Sequence, residues 1–125
     1  MRPTITLAAL FALAACATVH RVTADEVRAT FVGMSGYCTS ANGKPFVAYL
    51  SPNGTAKLRR EGEGASGRYH IEPDGEVCVE YQGYQQGQEV CQSMWKDTDR
   101  YHSTLSTGQP GVTITAIKPG NAENL

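Results

Sequence analysis

The sequence has no surplus of positive charge. Eleven Lys and Arg residues stand against 12 Asp and Glu, which gives a formal net charge of −1 at neutral pH. Proteins that bind nucleic acids rely on clustered Lys and Arg to neutralise phosphates, so we expect no nucleic-acid partner. The chain has 125 residues, a length that fits a single domain.

The sequence also lacks short motifs that are typical of catalysis and cofactor binding. It contains no Gly-x-Ser-x-Gly stretch and no Cys-x-x-Cys pair. Asp97, Asp99 and His102 lie close together, but a turn accounts for both aspartates, and the rest of a calcium loop is missing. We therefore predict no catalytic residue, no metal site and no bound cofactor, and a protein that is not an enzyme.

No apolar stretch is long enough to cross a bilayer, which takes about 20 residues. The uncharged segment that follows Arg2 ends at His20 and Arg21. A basic residue followed by a run rich in Leu and Ala, here over residues 5–13, is typical of an export signal. The sequence therefore predicts an exported protein.

The end of this run, Leu13-Ala14-Ala15-Cys16, resembles the lipobox of bacterial lipoproteins. The resemblance implies cleavage before Cys16 and its acylation, and two or more acyl chains hold a protein stably on a membrane. Ala17, the residue after the anchor, resembles the residue found at that position in lipoproteins of the outer membrane. We expect a signal peptide over 1–15, a lipid-anchored tether over 16–22 and a location on the periplasmic face of the bacterial outer membrane. An ordinary signal cut after Ala17 is the alternative.

A short helix is predicted at the start of the folded domain. Thr23-Ala24-Asp25-Glu26 matches a capping box, in which the Thr23 hydroxyl and the Glu26 carboxylate each accept a hydrogen bond from the other residue's amide. Val27 and Phe31 fall on one face of this helix, and Gly33 supplies a stop. The predicted helix runs over 24–32 and covers one end or edge of a β structure.

The rest of the chain has the pattern of a mostly β domain, predicted over 23–121 and followed by a tail over 122–125. Short apolar alternation is bounded by hairpin turns such as Pro52-Asn53-Gly54 and Pro73-Asp74-Gly75. The connections are too short for parallel crossovers, so we predict an antiparallel meander that forms a barrel or a two-sheet roll. The predicted strands are 37–40, 45–50, 55–60, 67–71, 76–81, 89–95, 100–105 and 112–117.

Alternation within these strands predicts which side chains face the interior. Three of them are tyrosines, Tyr69, Tyr81 and Tyr101, so we expect a filled barrel with little empty volume. The predicted inward side chains are Leu50, Ala56, Leu58, Tyr69, Ile71, Val77, Val79, Tyr81, Val90, Met94, Tyr101, Leu105, Val112 and Ile114.

Three cysteines follow Cys16. Exported proteins face an oxidising compartment, and Cys78 and Cys91 lie in consecutive predicted strands that can place them opposite each other, so we predict a disulfide between them. Cys38 is left over, and it is either buried and inert or joined to another chain. We favour burial and a monomer, and keep a dimer linked through Cys38 as the alternative.

Two places could form a contact surface. The neutral segment 82–88 carries Tyr84 and Gln85, and Trp95 lies on the opposite face of its strand from the inward Met94. A plain hairpin loop, and a covering layer over Trp95, are the simpler explanations.

The order of these segments resembles a family of small exported proteobacterial proteins of unknown function, domain-of-unknown-function family 995. Tyr69 stands where such sequences often have Trp, and Cys38 is an additional cysteine. The resemblance implies export and the fold, and it implies no activity. The matching segments are 23–27, 46–54, 67–71, 73–75, 77–79, Cys91, 99–101 and 119–121.

Three functions remain open. The first is a non-enzymatic envelope lipoprotein whose β domain binds a protein or another envelope component near the membrane. The second is a carrier that holds a small molecule inside the barrel, as lipocalin-like proteins do, which the expected filling of the interior disfavours. The third is an inhibitor of an exported hydrolase, which rests on analogy with other small β lipoproteins.

Overall fold

The structure, a computed structural model, describes residues 19–125 and shows a closed antiparallel barrel of eight strands with one short α-helix. The prediction of a mostly β meander is confirmed, and a barrel is the alternative that is present. The elements are β1 (Val19–Arg21), α1 (Ala24–Phe31), β2 (Met34–Thr39), β3 (Pro45–Leu50), β4 (Thr55–Arg60), β5 (Glu63–Ile71), β6 (Val77–Tyr81), β7 (Val90–Asp97), β8 (Arg100–Leu105) and β9 (Pro110–Pro119).

The barrel closes because its first and last strands pair with each other. Strands β2 to β9 follow one another around the wall, and β9 then pairs with β2 from Met34 opposite Pro119 to Thr39 opposite Thr113. Closure of this kind leaves none of the eight strands as a free sheet edge. The short strand β1 pairs only with the second half of β7, beyond the point where β6 ends.

Two hairpins of the same design follow β3 and β5. Gly54 and Gly75 adopt φ values of +90° and +93°, which L side chains rarely take. The side chains of Asn53 and Asp74 accept hydrogen bonds from the amides of Thr55 and Glu76, two residues further along. The repeated Pro-Asn/Asp-Gly pattern in the sequence therefore corresponds to two equivalent turns at the same end of the barrel.

Helix α1 covers that end of the barrel. Thr23 caps it by accepting a hydrogen bond from the Glu26 amide, as predicted. The second half of the predicted capping box differs, because the Glu26 carboxylate accepts from the Thr23 hydroxyl at 3.2 Å and not from the Thr23 amide. The helix ends at Phe31, one residue before the predicted limit. Val22 and Val27 are fully buried, and they belong to one cluster with Phe31 and with core residues of the strands. The helix therefore closes one end of the interior with apolar side chains.

Several boundaries differ from those predicted. β3, β4 and β8 have the predicted limits, whereas β5 begins at Glu63, four residues early. Val19–Arg21, expected within the tether, forms β1 on the barrel wall. The tail packs on the barrel too: the Glu123 carboxylate pairs with Arg59 at 3.1 Å and accepts a hydrogen bond from Tyr37 at 2.6 Å. The folded domain thus extends beyond both predicted limits.

Candidate binding cavity

The barrel encloses a cavity of about 340 Å³. The expectation of a filled interior is therefore wrong. Small residues on neighbouring strands make the space: Gly36, Ala48 and Gly111 all line it. The other strand side chains that line it are mainly apolar, among them Leu50, Leu58, Val77, Val79, Val90, Met94, Leu105, Val112 and Ile114.

Each of the three tyrosines that were expected to fill the interior leaves it open, and the reason differs from one to the next. Tyr101 is drawn to the helix end, where its ring meets Phe31 edge-on with centroids 5.0 Å apart. Tyr69 packs at the edge of the core, and its hydroxyl donates to the main-chain oxygen of Ser51 in the turn after β3. Tyr81 lines the cavity, so its side chain forms part of the wall and leaves the space beside it empty. The middle of the barrel and its end away from the helix are therefore left open.

The end of the cavity away from the helix opens to solvent. Exposed residues from two connections and from the start of one strand line it there: Ala41 between β2 and β3, Gln85 and Gln88 between β6 and β7, and Pro110 at the start of β9. The segment with Gln85 contains one turn of 3-10 helix over Gln85–Gly87. We call this end the mouth, defined by Ala41, Arg60, Tyr84, Gln85, Gln88 and Pro110.

Arg60 is the one charged side chain among the described residues that line the cavity. Its guanidinium carbon lies 5.6 Å from the ring centre of Phe46 and 5.8 Å from that of Tyr84, distances at which a cation is attracted to an aromatic face. Its Nε is buried and has no hydrogen-bond partner within residues 19–125. The mouth thus carries a positive charge that two aromatic rings hold in place.

Cys38 and Tyr81 are the side chains of the wall whose pKa values are strongly raised. Burial raises the pKa of the Cys38 thiol to about 12. Burial, with a smaller contribution from Cys38, also raises the pKa of Tyr81. Both groups are therefore protonated and neutral at physiological pH, and neither adds charge to the wall.

Two polar side chains that face the interior, those of Ser103 and Gln92, form a hydrogen bond with each other. The Ser103 hydroxyl donates to the Gln92 side-chain oxygen at 2.6 Å and accepts from the amide of Val112 at 2.8 Å. Gly111 makes room for it, because a Cβ there would lie 2.1 Å from the Ser103 oxygen. This pair bridges β7, β8 and β9 without adding charge to the cavity.

The structure separates the residues that were expected to form a contact surface. Tyr84 and Gln85 lie at the mouth, and Tyr84 packs edge-on against Tyr81 with centroids 6.3 Å apart. Trp95 is half-buried on the outer face, opposite Arg21 of β1 and His102 of β8. Strand β1, which was not predicted, supplies the neighbour of Trp95 on that side.

The cysteines form the predicted disulfide, and Cys38 is buried, as we favoured. Cys78 and Cys91 are directly opposite each other and form the predicted disulfide on the outer face, with Cα atoms 4.0 Å apart. Cys38 is a free, buried thiol. Cys16 lies outside the described residues, as do the predicted signal peptide and the first part of the tether, so these stay predictions.

Two groups of potential metal ligands occur among the described residues, and each includes Cys78. A sulfur in a disulfide is not available as a thiolate ligand. His70, in one of these groups, is exposed and hydrogen-bonds Glu72 at 2.8 Å, so it has a partner already. Neither group therefore forms a candidate metal centre.

Arg60 is the site residue that the sequence reasoning missed. Ala56 and Leu58 were predicted to face inward, and two-residue alternation along the same strand places Arg60 on that face as well. An arginine at the end of a strand usually faces solvent, so this alternation alone does not indicate a site residue.

Comparison of the chain with protein-family models, with curated proteins and with solved structures finds no match. The resemblance to family 995 therefore stays a prediction. Within residues 19–125, no helix has the length and apolar character needed to span a bilayer.

Proposed function

We propose that this barrel is a non-enzymatic binding protein that holds one small, largely apolar molecule in its interior. The observation that carries the proposal is the cavity of about 340 Å³, open at one end and lined mainly by apolar side chains. Cavities of roughly 300–1,000 Å³ accommodate small ligands in proteins, and eight-stranded barrels have interiors of the right width for one.

The chemistry of the wall supports binding over catalysis. Cys38 and Tyr81, the acidic groups with raised pKa values, hold their protons at neutral pH and so supply neither a nucleophile nor a base. Ser103 is engaged by Gln92 and a backbone amide. The interior therefore offers shape and apolar surface, which suit retention of a ligand.

A cavity-filling variant tests the proposal. Ala48 faces the cavity from β3, so Ala48→Phe places a ring in empty space. Ala116, which is exposed on the outer face of β9, gives the matched control Ala116→Phe. Binding is measured with N-phenyl-1-naphthylamine, a neutral apolar dye that becomes fluorescent in apolar surroundings. We expect saturable binding with one site per chain, weakened at least about tenfold in A48F and unchanged in A116F.

Two results would overturn the binding function. One is the absence of saturable dye binding by the unmodified protein. The other is equal loss in both variants while circular dichroism shows that both keep the β spectrum, because the dye would then not occupy the interior.

The anchor at Cys16 is a separate part of the proposal. It rests on the lipobox resemblance, and it would place the barrel at the outer membrane, where apolar molecules are abundant. Mass spectrometry of the protein purified from a bacterial envelope tests it. We expect a mature chain that begins at Cys16 and carries acyl chains, with Cys16→Ser lacking them; an unmodified mature terminus would exclude the anchor.

A further inference from the structure

Arg60 has no acidic partner among the described residues. No Asp or Glu of residues 19–125 lies within 4.0 Å of its guanidinium, and residues 1–18 contain neither residue. The adjacent Glu61 is engaged elsewhere, in an ion pair of 3.6 Å with Lys44. The charge that faces the cavity is thus left uncompensated.

An uncompensated and partly buried charge is costly to keep. Guanidinium nitrogens that are removed from water need hydrogen-bond acceptors, and the buried Nε has none. The rings of Phe46 and Tyr84 attract the cation and fix its position, but aromatic faces do not accept the directed hydrogen bonds that a guanidinium offers. An anion at the mouth would supply those acceptors.

We propose that the ligand is a singly charged anionic amphiphile, a fatty acid of medium chain length, with its carboxylate on Arg60 and its chain along the barrel axis. This inference rests on the proposed function. A carboxylate matches the fork of N–H donors on a guanidinium, and one head charge matches the one cationic side chain among the described lining residues. The mainly apolar wall beyond Arg60 would enclose the hydrocarbon.

The length of the cavity sets the length of the chain. On β4 the inward positions run from Arg60 at the mouth to Ala56 near the helix end, four residues apart. At about 3.3 Å per residue this is about 13 Å along the strand, and about 10 Å along the axis for strands tilted by about 40°. Phe31 and Met94 close the end of the cavity next to helix α1. A medium-chain acid such as decanoate fits this depth, whereas hexadecanoate would project from the mouth.

Competition against N-phenyl-1-naphthylamine tests the ligand class on the purified protein at pH 7.5. The competitors are decanoate, decanol and decylamine, which have similar chains and anionic, neutral and cationic heads. Hexanoate and hexadecanoate test the length. We expect decanoate to displace the dye at concentrations at least about tenfold lower than decanol, and decylamine to be the weakest of the three.

Substitutions at Arg60 test the role of the charge. Arg60→Gln is expected to weaken decanoate binding by about 10- to 100-fold while leaving decanol within about threefold. Arg60→Lys keeps the charge without the fork, and it should recover part of the loss. Arg68, exposed on β5, gives the control Arg68→Gln, which makes the same change of net charge and should leave all competitors unchanged.

The outcomes separate this inference from the proposed function. If the unmodified protein binds decanoate and decanol equally, or if R60Q and R68Q lose decanoate to the same extent, the anionic ligand is wrong while interior binding stands. If hexadecanoate binds more tightly than decanoate without exceeding its solubility, the length argument is wrong. If no competitor displaces the dye and the dye does not bind, the proposed function itself fails.

Discussion

Removal of the disulfide between Cys78 and Cys91 should weaken the barrel where β6 pairs with β7. Strands β6 and β7 pair over only three residue pairs, from Val77 opposite Gln92 to Val79 opposite Val90, and the disulfide joins the middle pair. Cys78 is 1% exposed, so alanine is the suitable replacement at both positions, because a serine hydroxyl would need a buried partner.

The size of the effect follows from the length of the closed loop. The two cysteines are 13 residues apart, and a cross-link of this span stabilises the folded state by about 3 kcal/mol in the chain-entropy model. For a domain of this size about 1 kcal/mol corresponds to a shift of about 4 °C in Tm. The double variant Cys78→Ala/Cys91→Ala should therefore unfold about 12 °C below the unmodified protein.

Urea and thermal unfolding measure this difference, with far-ultraviolet circular dichroism and the fluorescence of the single Trp95 as probes. Reductant should lower the stability of the unmodified protein and leave the double variant unchanged. Cys38→Ala serves as the control, because it removes a thiol without touching the disulfide, and it should remain sensitive to reductant. Equal stability of the double variant and the unmodified protein, within about 0.5 kcal/mol, would refute the reasoning.

Two further predictions concern packing and pH. A Cβ at Gly67 would lie 1.7 Å from a main-chain oxygen of β6, so Gly67→Ala should lower the free energy of unfolding in urea by about 3 kcal/mol or more. Gly64→Ala on the same strand, where the nearest atom is 3.8 Å from the new Cβ, should cost less than about 0.5 kcal/mol. Similar losses in the two variants would contradict the register of β5. Burial raises the pKa of the Cys38 thiol to about 12. The stability that this burial contributes is complete below the ordinary pKa of a thiol, about 8.5, and falls by about 1.4 kcal/mol per pH unit as the pH rises toward 12. Urea unfolding of C38A across this range should lack that part of the slope, and identical slopes would argue against a buried thiol.

The hairpins were predictable because their chemistry is local. A Gly that takes a positive φ, next to an Asn or Asp that bonds the backbone two residues on, defines the turns at Gly54 and Gly75 without help from the rest of the fold. The capping box at Thr23 is local in the same sense. The end of β3 and the start of β4 then follow from the turn at Gly54 that lies between them.

Elements that form by pairing with another strand, and not from their own composition, were predicted less well. β5 begins at Glu63 because β4 is there to pair with it, although Glu61-Gly62-Glu63-Gly64 has the composition of a loop. β1 forms because β7 extends past the end of β6, so that the second half of β7 has an unpaired edge with which Val19–Arg21 can pair. The sequence of Val19–Arg21 itself does not indicate this pairing. In both cases tertiary pairing overrides local preference.

The cavity could not be predicted from a list of inward residues, because empty volume depends on where large side chains point. Tyr101 turns toward Phe31 at the helix end, while Gly36 and Ala48 contribute almost nothing to the interior. Arg60 was predictable in principle from its phase on β4. Its lack of an acidic partner was not, because that requires knowing the position of every carboxylate.

The central claim is that a ligand lies inside the barrel, and intermolecular nuclear Overhauser effects test it most directly. With isotope-labelled protein and unlabelled decanoate, we predict contacts from the terminal methyl of the ligand to the methyl groups of Met94 and Ile114, and from the carbon next to the carboxylate to Arg60 and Tyr84. Contacts confined to outer-face side chains such as Val19, which is 52% exposed, would contradict the account.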